Sequence, residues 1–257
     1  MAAAADSTPI AIVTGGSRGL GRNAALKLAE HGIDVLLTYR SNRAEADAAV
    51  AQISSLGRRA LALPLDVAVS AGFAAFASQV REVLGKTWQR ERFNYLVNNA
   101  GTGVHASFAD TTEAQFDQMV SIHLKSTFFL TQKLLPLMAD GGRIVNVSSG
   151  LTRFALPGFA AYACMKGGIE VLTRYMAKEL GARGIAVNTI APGAIATDFG
   201  GGMVRDNAQI NAQIASQTAL GRVGLPDDIG GVVASLLSND NRFINGQRIE
   251  ISGGIFL

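Results

Sequence analysis

The feature that most constrains the fold of this chain is a regular alternation of short apolar runs with longer segments of helical period. Runs that are apolar on both faces are typical of a parallel sheet, because helices cover both sides of it. Right-handed crossovers between such strands give a doubly wound α/β fold, whose ligands bind beyond the carboxyl ends of the strands. The pattern predicts about seven strands, at residues 10–13, 34–38, 60–65, 95–97, 143–147, 186–190 and 248–251, and helices at 21–30, 44–55, 71–84, 113–138, 161–180 and 226–237.

Composition fits one enzyme-sized domain without an internal linker. The chain has 257 residues, 48% of them hydrophobic, which is enough to bury a large core. The formal net charge is only +3, with Lys and Arg scattered along the chain, so no nucleic-acid partner is predicted. No apolar run approaches the roughly 18 residues of a membrane span, so no membrane partner is predicted either.

The cysteine content and the first residues bear on the compartment. The single cysteine, Cys164, excludes an internal disulfide and a cysteine-based zinc site, and no metal is predicted. Residues 1–8 are rich in alanine but have neither a basic start nor a sustained apolar run. We therefore expect a disordered N-terminus that is neither a signal peptide nor an anchor, and a reducing, cytoplasmic location.

Two segments depart from the simple alternation. Residues 85–92 are polar around Trp88 and predict a surface insertion before the fourth strand. Residues 194–221 contain three consecutive glycines, 200–202, before a short helical piece. This second segment is either a substrate lid or an ordinary long loop, and the sequence does not choose between them.

A glycine-rich turn, residues 14–21, follows the first predicted strand and leads into a helix. Such a turn lets the backbone approach a pyrophosphate and directs helix N-terminal N–H groups at it. The same residues spell Gly15-x-Ser17-x-Gly19, the pattern of a hydrolase nucleophile elbow. A hydrolase is the weaker interpretation, because no earlier strand is predicted that could carry an oxyanion-hole loop and none of the three histidines has an evident triad role.

The end of the second predicted strand favours one dinucleotide over the other. It reads Thr38-Tyr39-Arg40-Ser41 and lacks the carboxylate that would bind the adenosine ribose hydroxyls of NAD(H). Arg40 can pair bidentately with a 2′-phosphate, and Arg18 in the glycine turn can flank the same group. These residues predict NADP(H) as cofactor.

Three further residues carry a plausible proton-transfer chemistry. Tyr162 and Lys166 are four residues apart, which places both side chains on one face of a predicted helix. An ammonium about 4 Å from a phenol contributes about 4 kcal/mol at an effective dielectric of 20, enough to bring a tyrosine pKa of about 10 toward 7. Ser149 follows the fifth predicted strand, where its hydroxyl can hold a substrate oxygen beside the phenol.

Together, these motifs resemble the single-domain branch of the short-chain dehydrogenase/reductase family over residues 10–254, and are similar to 3-oxoacyl-ACP reductase-like carbonyl reductases. The resemblance implies one NAD(P)-binding domain with a Rossmann-type sheet. It rests on the glycine turn, Asp66 after the third strand, the run Asn98-Asn99-Ala100-Gly101 after the fourth, Ser149, Tyr162-x-x-x-Lys166, and Pro192-Gly193 followed by Thr197.

The resemblance implies a role for each matching residue. Tyr162 is the expected general acid in reduction and general base in oxidation, Ser149 orients the substrate oxygen, and Lys166 also binds the nicotinamide ribose. Asp66 and Val67 are expected at the adenine, residues 99–101 at the adenosine and ribose, and residues 192–197 at the nicotinamide. The predicted cofactor-binding residues are Gly15, Ser17, Arg18, Gly19, Leu20, Gly21, Tyr39, Arg40, Ser41, Asp66, Val67, Asn99, Ala100, Gly101, Tyr162, Lys166, Pro192, Gly193, Ile195 and Thr197.

One position departs from the family pattern. Where the family usually has an asparagine that supports a water-linked proton relay to the lysine, this chain has His123. An imidazole can donate and accept hydrogen bonds, so we predict a modified relay with His123 as a fourth catalytic residue. Its unperturbed pKa near 6.5 would sharpen the pH dependence of activity. Packing within the helix is the alternative interpretation.

The predicted function is therefore NADP(H)-dependent reduction of a carbonyl group or oxidation of an alcohol. Apolar residues near the expected pocket favour an apolar or aromatic ketone over a sugar; they are Leu151, Phe154, Leu156, Phe159 and Met203. The alternative is a non-catalytic dinucleotide sensor of the same fold, which would not require Ser149 and Tyr162. The resemblance also implies a homotetramer, with residues 113–138, 161–180 and 248–257 at its interfaces.

Overall fold

Seven parallel strands form one sheet in the order β3-β2-β1-β4-β5-β6-β7. The structure is a computed structural model that describes residues 8–257, so the predicted disordered segment 1–8 lies, apart from Thr8, outside the described residues. The strands are β1 (Ile10–Val13), β2 (Asp34–Tyr39), β3 (Ala60–Pro64), β4 (Phe93–Asn98), β5 (Met138–Val147), β6 (Ala186–Pro192) and β7 (Arg248–Ile251). The predicted doubly wound architecture is confirmed.

Helices cover both faces of the sheet. They are α1 (Gly19–Glu30), α2 (Arg43–Ser55), α3 (Phe73–Trp88), α4 (Glu113–Met119), α5 (Ser126–Leu134), α6 (Ala160–Glu179), α7 (Met203–Asp206), α8 (Ala208–Ser216) and α9 (Pro226–Leu237). Buried apolar residues of α1, α2 and α9 form the core on one face, and those of α3 and α5 form the core on the other. Every residue of β1 and β6 is buried, as expected of central strands covered on both sides.

The order of the strands positions the functional site. From β1 the chain first builds outward to β3 and then returns to β4 on the other side of β1. The crevice at this reversal lies beyond the carboxyl ends of β1 and β4, where doubly wound sheets bind ligands. The described residues include no helix long and apolar enough to cross a membrane.

The predicted surface insertion at 85–92 is wrong. Helix α3 continues to Trp88, whose side chain is only 2% exposed. The indole Nε1 donates a hydrogen bond to Asp34 Oδ2 at 2.8 Å, and the ring packs among the core residues beneath the sheet. The polar neighbours of Trp88 in sequence face solvent, so a local average of polarity could not reveal that the indole points inward.

The single helix predicted over 113–138 is also wrong. Helix α4 passes into a π-helical turn (Val120–Lys125) and then into α5, which gives way to a 3₁₀ turn (Leu135–Leu137). Pro136 lies in that 3₁₀ turn, and proline both lacks an N–H group and disfavours helix in the residue before it. Met138 consequently begins β5 by pairing with Phe93, so this strand starts earlier than the apolar run at 143–147 suggested.

The segment 194–221 is more structured than either interpretation required. It contains a turn of 3₁₀ type (Phe199–Gly202) followed by α7 and α8, and neither of these helices contains a fully buried residue. Gly200, Gly201 and Gly202 all have positive φ, between 62° and 81°, which only glycine adopts without strain. Helices α7 and α8 therefore lie at the surface, whereas Gly202 just before them is buried.

Candidate active site

The glycine turn is shaped to receive an anion. Gly15 and Gly19 have φ of +64° and +54°, and a Cβ on Gly21 would lie 2.2 Å from the carbonyl oxygen of Gly15. Helix α1 begins at Gly19 with no side-chain cap and no acidic residue in its first turn. Its first N–H groups and the positive end of its dipole are therefore available to a phosphate group.

Side chains from two neighbouring strands hold this turn in place. Thr14 Oγ1 accepts hydrogen bonds from the backbone N–H groups of Asn99 and Ala100, both at 3.0 Å. The amide of Asn99 donates to the Thr14 carbonyl at 2.9 Å, and the Gly15 N–H donates to Thr38 Oγ1 at 3.1 Å. The side chain of Asn99, predicted at the cofactor, is thus used to fix the glycine turn.

The loop after β6 lies against the glycine turn, where a Cβ on Gly19 would be 3.8 Å from Thr197 Cβ. A cavity of about 270 Å³ is lined by Gly19, Thr197 and Asp198 among others, so the loop after β6 faces the glycine turn. Arg18 and Arg40 are exposed, and neither guanidinium makes an ion pair or hydrogen bond within the described residues. Two such cations near the carboxyl ends of β1 and β2 fit a phosphorylated ribose.

The structure brings Ser149, Tyr162 and Lys166 together at the carboxyl end of β5. Ser149 Oγ caps the short turn after β5 by accepting a hydrogen bond from the Leu151 N–H at 3.2 Å. Tyr162 and Lys166 lie one turn apart on α6, both buried, with Lys166 Nζ 5.5 Å from the centre of the phenol ring. Nζ also donates to the Val147 carbonyl at 2.6 Å, which ties the helix to the strand.

Burial sets the protonation states of this group. It raises the pKa of the Tyr162 phenol, and the hydrogen bond with Ser149 opposes only part of the increase. Burial also lowers the pKa of Lys166 to about 7. The expectation that Lys166 brings the phenol pKa toward 7 is therefore wrong for this arrangement, because the buried ammonium is itself destabilised. A phenol that stays protonated is a competent proton donor.

Lys166→Met is expected to change how stability depends on pH. Between pH 7 and 10.5 the unfolded chain keeps a proton on Lys166 that the folded protein has released, so the unfolding free energy of the wild type rises with pH. Methionine removes this dependence. The stability of the variant relative to the wild type should fall by about 2 kcal/mol between pH 6 and 9, as measured by urea unfolding without added cofactor.

Lys178→Met is the control for this experiment, since Lys178 is exposed on the same helix. The same stability difference at both pH values for Lys166→Met would show that the lysine keeps its ordinary pKa.

His123 lies in the π-helical turn, and its ring faces that of Tyr162. Its ring meets that of Tyr162 edge-on at 5.1 Å, and Nε2 is 2.8 Å from the Thr102 carbonyl oxygen. Because a carbonyl can only accept, Nε2 must carry the ring proton. Nδ1 is then an acceptor, and it is buried with no partner among the described residues. Burial, reinforced by the charge of Lys166, lowers the pKa of His123 to about 3. The expected titration near pH 6.5 is therefore wrong.

Gly101 and His123 form a matched pair. A Cβ on Gly101 would lie 2.8 Å from His123 Cε1 and 3.3 Å from Nδ1, and the ring is fixed by Thr102 and Tyr162. Gly101→Ala is expected to destabilise the protein by about 1–3 kcal/mol through overpacking. In a His123→Asn background, the loss of unfolding free energy caused by Gly101→Ala should be smaller by at least about 1 kcal/mol, because the imidazole ring is absent.

Urea unfolding of the four proteins of this double-mutant cycle measures the coupling. Additive changes in stability would show that His123 can move away from the added methyl group.

Phe199 is the residue of this site that the sequence did not reveal. Its ring is 5.8 Å from that of Tyr162, and its ring carbons lie 3.1 Å from where a Cβ on Gly103 would be. Thr197 Oγ1 accepts a hydrogen bond from the Phe199 N–H at 3.2 Å and so fixes the start of this turn. The only sequence signal was the run of glycines directly after Phe199, which marks a turn without saying where the ring points.

The predicted substrate-pocket residues are not all in one place. Phe159 precedes α6, and its ring packs against His105 at 5.0 Å. Leu151 packs beside Tyr162, whereas Phe154 packs against Phe256 of the C-terminal segment at 4.7 Å. Leu156 and Met203 are exposed. The rings that contact Tyr162 are therefore those of Phe199 and His123, whereas His105 and Phe159 pair with each other.

The sequence was also compared with known families and proteins. The sequence model of a family described as enoyl-(acyl carrier protein) reductase matches residues 15–255. The 3-oxoacyl-[acyl-carrier-protein] reductase FabG of Staphylococcus aureus is 34% identical over 252 residues, which cover 97% of this chain and 99% of FabG.

Two solved structures are similar over almost their whole length. The promiscuous reductase LugOII, which catalyses keto-reduction at C1 during lugdunomycin biosynthesis, superposes with a TM-score of 0.92 at 39% identity, covering 99% of this chain and all of LugOII. The angucycline C-6 ketoreductase LanV with bound NADP gives a TM-score of 0.91 at 33% identity, covering 96% of this chain and 95% of LanV.

Proposed function

Because the chain belongs to the short-chain dehydrogenase/reductase family, we propose that it is an NADP(H)-dependent ketoreductase acting on an apolar or aromatic ketone. The single observation that carries the proposal is the convergence of Ser149, Tyr162 and Lys166 at the same carboxyl edge of the sheet as the uncapped start of α1. A sensor that only bound a dinucleotide would need the uncapped helix start but not the three side chains.

The proposed roles follow from the positions of the three side chains. When bound, the reduced nicotinamide supplies a hydride to the carbonyl carbon. Tyr162 donates its phenolic proton to the carbonyl oxygen. The raised pKa of the phenol keeps this proton in place until it is transferred. Ser149 holds that oxygen by a hydrogen bond, and Lys166 would bind the nicotinamide ribose. Oxidation of the alcohol uses the same groups in reverse.

We also propose a supporting role for His123. As a neutral ring bonded to Thr102 through Nε2, it presents only an acceptor at Nδ1. It can therefore take part in a relay to Lys166 by accepting a hydrogen bond, whereas an asparagine side chain could also donate one.

The preference for NADP(H) is supported by charge. Neither Arg18 nor Arg40 has an ion-pair or hydrogen-bond partner within residues 8–257. Both lie near the carboxyl ends of β1 and β2, and β2 ends at Tyr39 without a carboxylate. The structure of LanV contains NADP. The remaining predicted contacts of the dinucleotide, from Ser17 and Leu20 to Ile195 and Thr197, are part of the same proposal.

The substrate class is supported by the aromatic ring of Phe199 beside that of Tyr162. Planar rings stack favourably on such surfaces, whereas a sugar would leave its hydroxyl groups without partners. LugOII is described as catalysing keto-reduction at C1 during lugdunomycin biosynthesis, and LanV as an angucycline C-6 ketoreductase. We further propose that segment 194–221 is a lid over this pocket, since Phe199 already contacts Tyr162 from it.

The proposed assembly is a homotetramer in the cytoplasm. Phe128 and Phe129 of α5 are exposed and pack against each other at 5.0 Å, forming an apolar surface that a second copy would cover. Light scattering of the purified protein measures the assembly directly. The free, exposed Cys164 is compatible with a reducing compartment.

The experiment that tests the function follows NADPH and NADH oxidation with a panel of carbonyl substrates. The panel contains polycyclic aromatic ketones, 3-oxoacyl thioesters and, because of the description of the matching family, enoyl thioesters. We expect NADPH to be consumed with the aromatic ketones at the highest kcat/KM. Tight NADPH binding without turnover on any substrate would instead favour the sensor, and turnover only on enoyl thioesters would exclude carbonyl reduction.

A further inference from the structure

The C-terminal segment, residues 252–256, joins the end of the lid segment to the rest of the molecule. Three backbone hydrogen bonds pair it with residues 217–220, directly after α8. They run from the N–H of Ala219 to Gly254, from Leu220 to Gly253 and from Phe256 to Gln217, at 3.2, 3.1 and 3.0 Å. Any displacement of this end of the lid segment must therefore move the C-terminal segment or break the pairing.

Arg153 holds the C-terminal segment from the other side. Its guanidinium forms a fork with Glu250, with Nε to Oε2 at 2.8 Å and Nη2 to Oε1 at 2.7 Å. The same group donates to the carbonyl oxygens of Ile255 at 2.6 Å and Phe256 at 3.2 Å. Phe154, the next residue, packs against the ring of Phe256. The loop after β5 is thus attached to the C-terminal segment at several points.

A second arginine continues this connection to the catalytic serine. Arg248 donates to Glu250 at 2.9 Å and to Glu170 at 2.8 Å. Glu170 also accepts hydrogen bonds from the hydroxyl groups of Ser148 and Thr152, both at 2.7 Å. These two residues stand on either side of Ser149, and Arg248 also donates to the Ser149 carbonyl at 3.4 Å, so the ionic chain ends on the segment that carries the Ser149 hydroxyl.

The connection stays charged under working conditions. Arg153 is the main cause that holds the pKa of Glu250 at about 2. A fork of two charge-assisted hydrogen bonds also fixes orientation, which a single ion pair between exposed side chains does not. None of these four charged residues has a place in the proposed chemistry itself.

We propose that Arg153 is a positioning residue that couples the lid segment to Ser149 through the C-terminal segment. The inference rests on the reductase function proposed above. Movement of residues 217–220 is transmitted through the backbone pairing to residues 253–256, and from their carbonyl groups through the guanidinium to the loop after β5. Substrate that seats the lid segment thereby also sets the position of the Ser149 hydroxyl.

The test compares Arg153→Gln with Arg183→Gln as a matched control. Arg183 also pairs with one carboxylate, that of Asp140, and donates to two backbone carbonyls, those of Leu135 and Met138. The two arginines are about equally exposed, at 35% and 31%, but Arg183 lies at the opposite end of β5. A general loss of stability should therefore be similar in both variants.

For Arg153→Gln we expect kcat to fall about 10-fold, because a small misplacement of a catalytic group slows the chemical step, while the KM for NADPH changes less than about twofold. Amide hydrogen exchange should become faster both at residues 149–154 and at 217–220. Arg183→Gln should keep kcat within about twofold and show faster exchange only near residues 135–140. Arg153→Lys, which keeps the ion pair but cannot reach both carbonyls, should be intermediate in both measurements.

The outcomes separate this inference from the proposed function. Faster exchange at 149–154 alone, in Arg153→Gln or in Arg153→Lys if the first variant does not fold, would overturn the coupling. A kcat in Arg153→Gln equal to that of the control would do the same. If the wild type reduces no ketone but exchange still rises in both segments, the coupling stands and the proposed function fails.

Discussion

Replacing Tyr162 with phenylalanine is expected to lower kcat for ketone reduction by about 10³-fold, because it removes the only buried phenol at the site. The ring and its contacts with His123 and Phe199 would remain. The Kd for NADPH should therefore change less than about threefold, since only the reacting O–H group is lost. Single-turnover measurements of NADPH oxidation, with a fluorescence titration of NADPH binding, separate the two quantities.

Tyr175→Phe is the matched control for this prediction. Tyr175 lies on the same helix, α6, with 64% of its side chain exposed, and the same oxygen is removed there. This variant should behave like the wild type. Retention of more than a tenth of the activity by Tyr162→Phe would show that another group supplies the proton.

Arg40→Asp is expected to reverse the cofactor preference. A guanidinium paired with a 2′-phosphate contributes about 1.5–3 kcal/mol, or roughly 10- to 100-fold in affinity. Aspartate both removes that attraction and repels the phosphate, so the kcat/KM for NADPH should fall by about 10²- to 10³-fold. The new carboxylate can accept hydrogen bonds from the ribose hydroxyls of NADH, so the kcat/KM for NADH should rise.

Steady-state kinetics with both cofactors, at fixed ionic strength, test this prediction. Arg43→Gln is the control, because Arg43 is equally exposed nearby but pairs with Asp47 on α2. If Arg40→Asp leaves the ratio of the two kcat/KM values unchanged, Arg40 does not contact the 2′-phosphate and Arg18 becomes the residue to replace.

Much of the fold was predictable because its signals are local. A strand that is covered on both faces must be apolar along its whole length, so each core strand stands out in the sequence without knowledge of its neighbours. The glycine turn is equally local, since the positive φ of Gly15 and Gly19 restricts the residue type at each position. The family assignment and the seven-stranded sheet are confirmed. The roles of the site residues stay predictions.

Three features that the sequence did not reveal have a common physical origin in contacts between residues far apart in sequence. Trp88 is buried because Asp34, 54 residues away, accepts its N–H. The position of β5 follows from pairing between Met138 and Phe93. The fork between Arg153 and Glu250 spans 97 residues. The hydrophobic pattern of one segment does not indicate which distant residues will contact it.

The fold class, the anion-binding turn and the residues proposed to transfer protons could be predicted from the sequence, because they depend on residue type and on spacing within one element. The protonation of those residues and their neighbours depends on the tertiary structure. Burial keeps Tyr162 protonated, lowers the pKa of Lys166 and leaves His123 neutral, and burial exists only once α6 packs on the sheet. The contact of Phe199 with Tyr162 and the path from the lid segment to Ser149 likewise depend on which distant segments the fold places side by side.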